Sequence, residues 1–367
     1  MGRILAGVLF LAACGDNGID APGANPPGGN DTMQPGGAGV PTAHYVPAVC
    51  GELSWTTSGG NGAIDVAVVP RSFGAQVLEV PLSGGAISGY TLSKQMDMQT
   101  VSPQITINSS FTTVAASEVN GQLTATGVDA SSIRVNVIAD DLSKATEVAK
   151  LAPGLISKPA FQVSDGLSFV PVADDQGLRV EAFDGAWNTT TTRVATTEPA
   201  TSMTATQMQY ATVAAWSTQT SCYMMTLFRP APGPLVHIAE ACDSPHLAID
   251  PASQKGVLVF QTADGIRMIN TEHTGVLDPS QLLRPNASSP RALWDGQHIW
   301  ISHLDQRGDI IVGYMEDGHF TSAAVTGPHP VSSAYDLVLI NGSVWTVSFD
   351  SQTYQADRIC IMPTTNG

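Results

Sequence analysis

Three histidines and two pairs of adjacent carboxylates are the side chains in this sequence best suited to acid–base or ligand chemistry. The histidines are His246, His298 and His303, and the pairs are Asp140-Asp141 and Asp174-Asp175. Adjacent carboxylates can hold Ca²⁺ or act as acid and base, but on turns they also serve simply as solvated residues. His298 and His303 differ by five, so on one strand they point to opposite faces. No H-E-x-x-H, G-x-S-x-G, P-loop or D-x-D-x-D-G spacing occurs, and so no catalytic residue is named. There are five cysteines, without a C-x-x-C and without a histidine at ligand spacing, so neither a metal nor a cofactor is expected. The candidate ligand-facing positions are Asp174, Asp175, His246, His298, His303, Asp305 and Arg307.

Composition bounds the partners. Lys+Arg is 16 against Asp+Glu 32, a formal net charge of −16, and no basic cluster offsets it. Nucleic acid and anionic lipid surfaces would be repelled. Only 13% of residues are charged, with Gly 35 and Pro 24, which suits strands and turns better than helices.

The elements that must position these residues are clearest in Pro290–Phe320. Three runs alternate there, Arg291–Trp294, His298–His303 and Asp309–Met315, and a fourth follows at Phe320–Val325. Asp295-Gly296, Asp305–Asp309 and Asp317-Gly318 separate them. Asp-Gly between apolar runs predicts a hairpin with a type I′ turn, which needs positive φ at both central residues. Four such runs make an antiparallel meander.

The meander recurs. An aromatic marks the second strand at Phe169, Trp216, Phe260, Trp300 and Trp345, in steps of 47, 44, 40 and 45 residues. Asn120-Gly121, Asp165-Gly166, Asp295-Gly296 and Asn341-Gly342 precede that strand. X-Pro opens the first strand at Lys158-Pro159, Ser244-Pro245 and Ser289-Pro290. Three markers with one period predict an all-β fold, a seven-bladed β-propeller of four-stranded antiparallel blades. The second strands are placed at Ile64–Val69, Gln122–Gly127, Leu167–Val172, Ala211–Ser217, Gly256–Thr262, His298–His303 and Ser343–Phe349. The first interval is long, and the excess is assigned to an inserted loop at Lys94–Ser110. The aromatics are expected to pack between blades. The seventh blade lacks a fourth strand, which Pro41–Val49 is expected to supply, closing the ring and removing a sheet edge. In that register Cys222 and Cys242 fall on the third and fourth strands of blade four, and Cys50 meets Cys360, giving two disulfides.

Two stretches resemble known families. Met1–Cys14, with Arg3, an apolar run Ile4–Ala13 and Leu11-Ala12-Ala13-Cys14, resembles a bacterial lipoprotein signal peptide with its lipobox. The resemblance implies a signal peptide over residues 1–13, cleavage before Cys14, and lipid (diacylglyceryl and palmitate-type chains) on Cys14. Gly15 replaces the aspartate that tends to retain such proteins at the inner membrane, which implies the outer membrane, at its periplasmic face or the cell surface. Asp16–Pro41, rich in Gly, Pro, Asn and Asp, predicts a flexible tether, so residues 14–41 link the anchor to a propeller at 42–367. Ala292–Ile301 (ALWDGQHIWI), echoed by Leu339–Val347, resembles the D-G-x-x-I-W-V phrase of YVTN/YncE-like and lyase-like seven-bladed propellers. The lyases among those use a histidine and Mg²⁺ at the channel, but no position here is matched to their residues.

The leading expectation is a membrane-anchored, monomeric, non-enzymatic scaffold that binds a protein, peptide or glycan on one face, with Lys94–Ser110 as a binding element. The alternative is an envelope hydrolase or lyase at the channel mouth. A channel lined only by Ser, Thr and Ala would exclude the alternative.

Overall fold

The computed structural model describes residues 45–56, 63–81, 85–93, 103–164, 167–208, 211–227, 231–272, 275–276, 278–316, 319–325, 335–350 and 353–363. Cys14, the lipobox and the tether lie outside these residues. The described residues belong to the compact unit Ala43–Gly367.

Seven antiparallel sheets form the described part of this unit, each built from strands consecutive in the chain except at closure. Blade one runs Ala63–Arg71, Gly74–Pro81, Gly85–Ser93 and Ile105–Phe111. The first strands of the next blades are Thr113–Val119, Gln162–Ser164 with Leu155–Ile156, Ala200–Gln207, Asp243–Asp250, Ser288–Trp294 and Tyr335–Ile340. These seven lie innermost, and six of the seven successive pairs round the ring are in close contact; blades two and three meet where the Phe161 N–H donates to the Ser117 hydroxyl. Blade six matches the sequence reading closely: Ser288–Trp294, Ile299–Leu304, Ile310–Glu316 and His319–Ala324.

A sheet buried on both faces has no solvent side, and period-two alternation sends successive residues to opposite neighbours. The apolar core is accordingly divided into seven clusters, one between each pair of adjacent blades. The marker aromatics Phe169, Trp216, Phe260, Trp300 and Trp345 are all buried in these clusters.

Blade one corrects the sequence reading. Ile64–Val69 lies in its innermost strand, not its second. The second strand is Gly74–Pro81, and the step from it to Gln122 is 48 residues, close to the common period. This strand has neither the aromatic nor the Asn/Asp-Gly turn, so the markers slipped by one strand. Residues 105–110 of the supposed insertion are in the blade's fourth strand, and residues 94–102 lie outside the described residues.

The turns divide by residue type. Asn120-Gly121 and Asn341-Gly342 have positive φ at both positions, and their strands pair up to Val119↔Gln122 and Ile340↔Ser343, as a two-residue hairpin requires. At Asp295-Gly296 only the glycine is left-handed. The loop there spans four residues, and the Asp295 carboxylate accepts the N–H groups of Gln297 (2.7 Å) and His298 (2.6 Å). The aspartate organises a longer turn through its side chain.

Closure is by the N-terminal strand, Tyr45–Thr56, antiparallel to Thr353–Pro363 at the outer edge of blade seven. It runs further than expected, so Cys50 sits mid-strand, at a bulge between Val49 and Gly51, rather than at its end. The disulfides Cys50–Cys360 and Cys222–Cys242 both have Cα atoms 5.8 Å apart. Cys242 lies just past the fourth strand of blade four, Val236–Glu240, not on it.

The double variant Cys50→Ser/Cys360→Ser should lose about 2–4 kcal/mol of stability, measured as the urea midpoint of unfolding. An unchanged midpoint would mean that the bond adds nothing to closure.

Candidate functional site

The inner strands line the channel, and their irregularities decide what enters it. Four of the seven break register with the second strand near their start, at Ala63/Asp65, Ala200/Ser202, Asp243/His246 and Ser288/Arg291. Such bulges re-aim side chains. Ser244 and Ser289, each before a proline, have φ of 47° and 53°, which non-glycine residues seldom adopt. Two residues on stand His246 and Arg291. In blade three the inner strand is interrupted, and the loop between its halves carries Lys158 and the cis Lys158-Pro159 peptide.

Lys158 reaches from the inner edge of blade three to that of blade one. Its Nζ donates to the Asp65 carboxylate and to the Val66 carbonyl (2.8 Å). The other Asp65 oxygen accepts the Val114 N–H of blade two (2.8 Å). His246 Nδ1 accepts the Ala292 N–H (3.1 Å), which leaves the ring proton on Nε2. The Arg291 guanidinium lies over the Tyr335 ring, 5.1 Å from its centroid, and the Tyr335 hydroxyl donates to the Ser289 carbonyl (2.5 Å). Asp336 accepts the Leu337 N–H (3.0 Å), as Asp65 accepts that of Val66 (3.0 Å). Blades one, three, five, six and seven thus each contribute an ionisable group.

Enclosure perturbs these groups. Burial, with the Arg291 and Lys158 charges adding to it, lowers His246 to about 3, so the imidazole is neutral at pH 7. Asp336 is raised. Burial drives it up, the Lys158 and Arg291 charges oppose this, and Asp65 adds to it. Tyr335 is pushed up to about 12, mainly by burial.

Beside this cluster lies a cavity of about 670 Å³, walled largely by apolar side chains such as Ala67, Val69, Ala116, Ala205, Ala248 and Ala292. His246, Lys158 and Asp336 lie at the end nearer the starts of the inner strands, and Glu118, Gln207 and Trp294 at the other. Apolar walls with a few convergent polar groups, at this volume, are the usual make-up of a small-molecule or side-chain pocket. A neutral imidazole and a carboxyl lining one cavity are also chemically able to exchange protons with a bound group.

The seven candidate residues fall in four places. His246 alone belongs to the channel cluster. Asp174 is not a solvated turn residue: its carboxylate pairs with Arg179 and accepts two bonds from Arg193 (2.7 and 2.8 Å), while Arg179 also reaches Glu181 (2.7 Å) and the Ala152 carbonyl (2.7 Å). Burial pushes Asp174 up, but bonds from Arg193, the Gln176 N–H and Arg179 outweigh it and hold the carboxyl below its ordinary value. This network ties blade three to the connector from blade two, and Asp175 lies exposed beside it. His298 precedes its strand and packs edge-on against Tyr314, 5.2 Å between ring centroids. His303, Asp305 and Arg307 come together in a cleft between blades five and six. Among the described residues no three His, Cys, Asp or Glu side chains are grouped to hold a metal ion.

Asp65, Lys158, Arg291 and Asp336 were missed. The signal was present: Lys158 is the X of an X-Pro marker, Arg291 follows another, and Asp65 and Asp336 are lone charges in apolar strand runs.

No protein-family model and no curated protein matches the chain. Among solved structures, one described as the Dos1 propeller is similar over 88% of this chain and 88% of its own, with 12% identity and a TM-score of 0.52. The likeness is one of fold alone.

His246 has a folded value below its ordinary 6.5, so its contribution to stability is full above pH 6.5 and is lost as pH falls toward 3. His246→Gln should flatten the rise of stability between pH 4 and 6.5 without removing it, because His303, lowered to about 4, acts in the same direction. Urea unfolding at a series of pH values measures this, and an unchanged slope would place His246 in solvent. Glu79 of blade one, hydrogen-bonded by Tyr90 (2.8 Å) and pushed up to about 7 by burial, has the opposite sign. Its contribution is present at low pH and lost as pH rises through 7, so Glu79→Gln should gain stability relative to the parent at pH 8.

Proposed function

We propose that the protein is a lipid-anchored envelope propeller that binds a protein, peptide or glycan group entering its channel cavity, without catalysing a reaction. The observation that carries this reading is the cavity of about 670 Å³, with apolar walls and a charged cluster drawn from separate blades. A closed scaffold with specificity placed in its irregular segments is a common way to build a binding protein. The anchor rests on the lipobox ending at Cys14 and the tether after it. Two disulfides suit an oxidising compartment. The site of action is then the outer membrane, at its periplasmic face or the cell surface, with the protein acting as a monomer. The charge of −16 disfavours nucleic acid as a partner.

A second reading is favoured by one observation. The channel is not lined only by small neutral residues: a neutral His246 and a carboxyl with raised pKa, Asp336, share it. This is what an envelope hydrolase or lyase would need for acid–base work.

Two experiments test these readings. Cys14→Ser should move the protein from the membrane fraction to the soluble one, with loss of acyl mass from the mature N-terminus. Retention in the membrane fraction would contradict the anchor. On peptide and glycan arrays probed with the Cys14→Ser chain, a captured ligand should bind at least tenfold more weakly to Lys158→Met and Asp336→Asn, and should be recovered intact. Ligand recovered cleaved by the parent but not by His246→Gln would replace the scaffold with the enzyme. Equal binding by all variants would remove the channel from both readings.

A further inference from the structure

Trp294 is a tryptophan that the core does not use. Among the tryptophans whose side chains are described, Trp187, Trp216, Trp300 and Trp345 pack in or against the apolar clusters between blades, and Trp294 belongs to none of them. It ends the innermost strand of blade six, is partly exposed and lines the channel cavity. An indole left out of the core offers an apolar face and a polar tip to whatever approaches it.

The other end of the cavity carries unmet polar groups. His246 Nδ1 is taken by the Ala292 N–H, and one Asp336 oxygen by the Leu337 N–H. Among the described residues the His246 Nε2–H, the second Asp336 oxygen and the Trp294 indole N–H have no hydrogen-bond partner, and none of these atoms is sealed from solvent. Enclosed polar groups are normally paired. A donor and an acceptor open on one cavity fit a ligand that brings the converse pair.

Charge restricts that ligand. On the wall, Lys158 is matched by Asp65, and Glu118 by Arg71 (3.1 Å). Asp336 has no ion-pair partner among the described residues, but the Lys158 and Arg291 charges act on it and would oppose a cation placed beside it. An anion would meet Asp336, Asp65 and Glu118. An enclosed site with no surplus of either sign favours a neutral molecule over an ion.

The walls restrict its shape. A peptide brings an N–H and a C=O at every residue, and side chains such as Ala67, Val69, Ala116, Ala205 and Ala248 meet neither. A pyranose ring carries its polar groups on its edge and C–H groups on its faces. Each hydroxyl both donates and accepts, so hydroxyls on one edge match the His246 N–H and the Asp336 oxygen. Along blade seven the wall runs from Asp336 to Leu339, roughly 10 Å of strand, which is room for two linked rings.

We propose that the cavity takes the end of a neutral glycan, its terminal hydroxyls bonded by His246 and Asp336 and the face of the following ring laid on Trp294. The assignment rests on the channel being the binding site, as proposed above, and narrows its ligand to uncharged sugar.

The test is calorimetric titration of the whole chain carrying Cys14→Ser. The probes are cellobiose, maltose, lactose, mannobiose and N,N′-diacetylchitobiose, their counterparts ending in glucuronate or glucosamine, and N-acetyl-trialanine amide. At least one neutral disaccharide should bind saturably, at least tenfold more tightly than its charged counterparts and the peptide. Trp294→Ala and Asp336→Asn should each weaken it at least tenfold, and Trp294→Phe, which keeps an aromatic face, should weaken it less than the alanine variant. Because Trp294 stands outside the clusters, Trp294→Ala should keep the parent's unfolding midpoint. A lowered midpoint would make Trp294 a packing residue and overturn the platform. Tighter binding of the peptide or of a charged sugar, lost in Trp294→Ala, would overturn the sugar assignment and leave the channel as the binding site. No saturable binding of any probe, or equal binding by all variants, would overturn both.

Discussion

Closure of the ring is the constraint on which the rest of this structure depends. No blade here has a core of its own. Every apolar cluster lies between two neighbours, so each sheet is stable only if the one beside it is in place. A linear array would leave two sheets with an open apolar face. The Val66 and Val77 side chains of blade one are buried because Val338, Trp345 and Val347 of blade seven come round to meet them. Tyr45–Thr56 completes blade seven from the other end of the folded chain, and the Cys50–Cys360 bond fixes that pairing covalently.

Closure also creates the channel. Seven strands brought side by side around an axis place residues from distant parts of the sequence within reach of one another. Lys158 and Asp65 are 93 positions apart and in blades that are not neighbours in the ring, yet they pair. The bulges at the strand entrances turn Asp65, His246 and Arg291 from their regular positions, and the Ser-Pro steps with left-handed serines mark two of them. Regular sheet provides the frame, and departures from it provide the polar groups.

This division explains what could be read from the sequence. The propeller, its seven blades, the N-terminal closing strand and both disulfides follow from local periodicities and turn residues, because each blade is formed by neighbours in sequence. The aromatics Trp216, Trp300 and Trp345 could be placed because inter-blade packing repeats with the blade. Blade one was read a strand out of register because Gly74–Pro81 has no such aromatic and its turn is Ser72-Phe73. The channel cluster was largely illegible, since nothing local says that Lys158 leaves its own blade to reach Asp65. His303, Asp305 and Arg307 were singled out singly. The cleft they line depends on two blades packing face to face. Asp174 was taken for a turn residue because its partner Arg193 lies 19 positions away on another strand.

Amide hydrogen exchange of the two strands that close the ring tests this account most directly. Pairing of Tyr45–Thr56 with Thr353–Pro363 in a closed ring predicts that the hydrogen-bonded amides of both strands are protected, and that they open together with the neighbouring strand Ser343–Asp350. Free exchange over 45–56, with 353–363 still protected, would mean that the first segment does not complete the last blade.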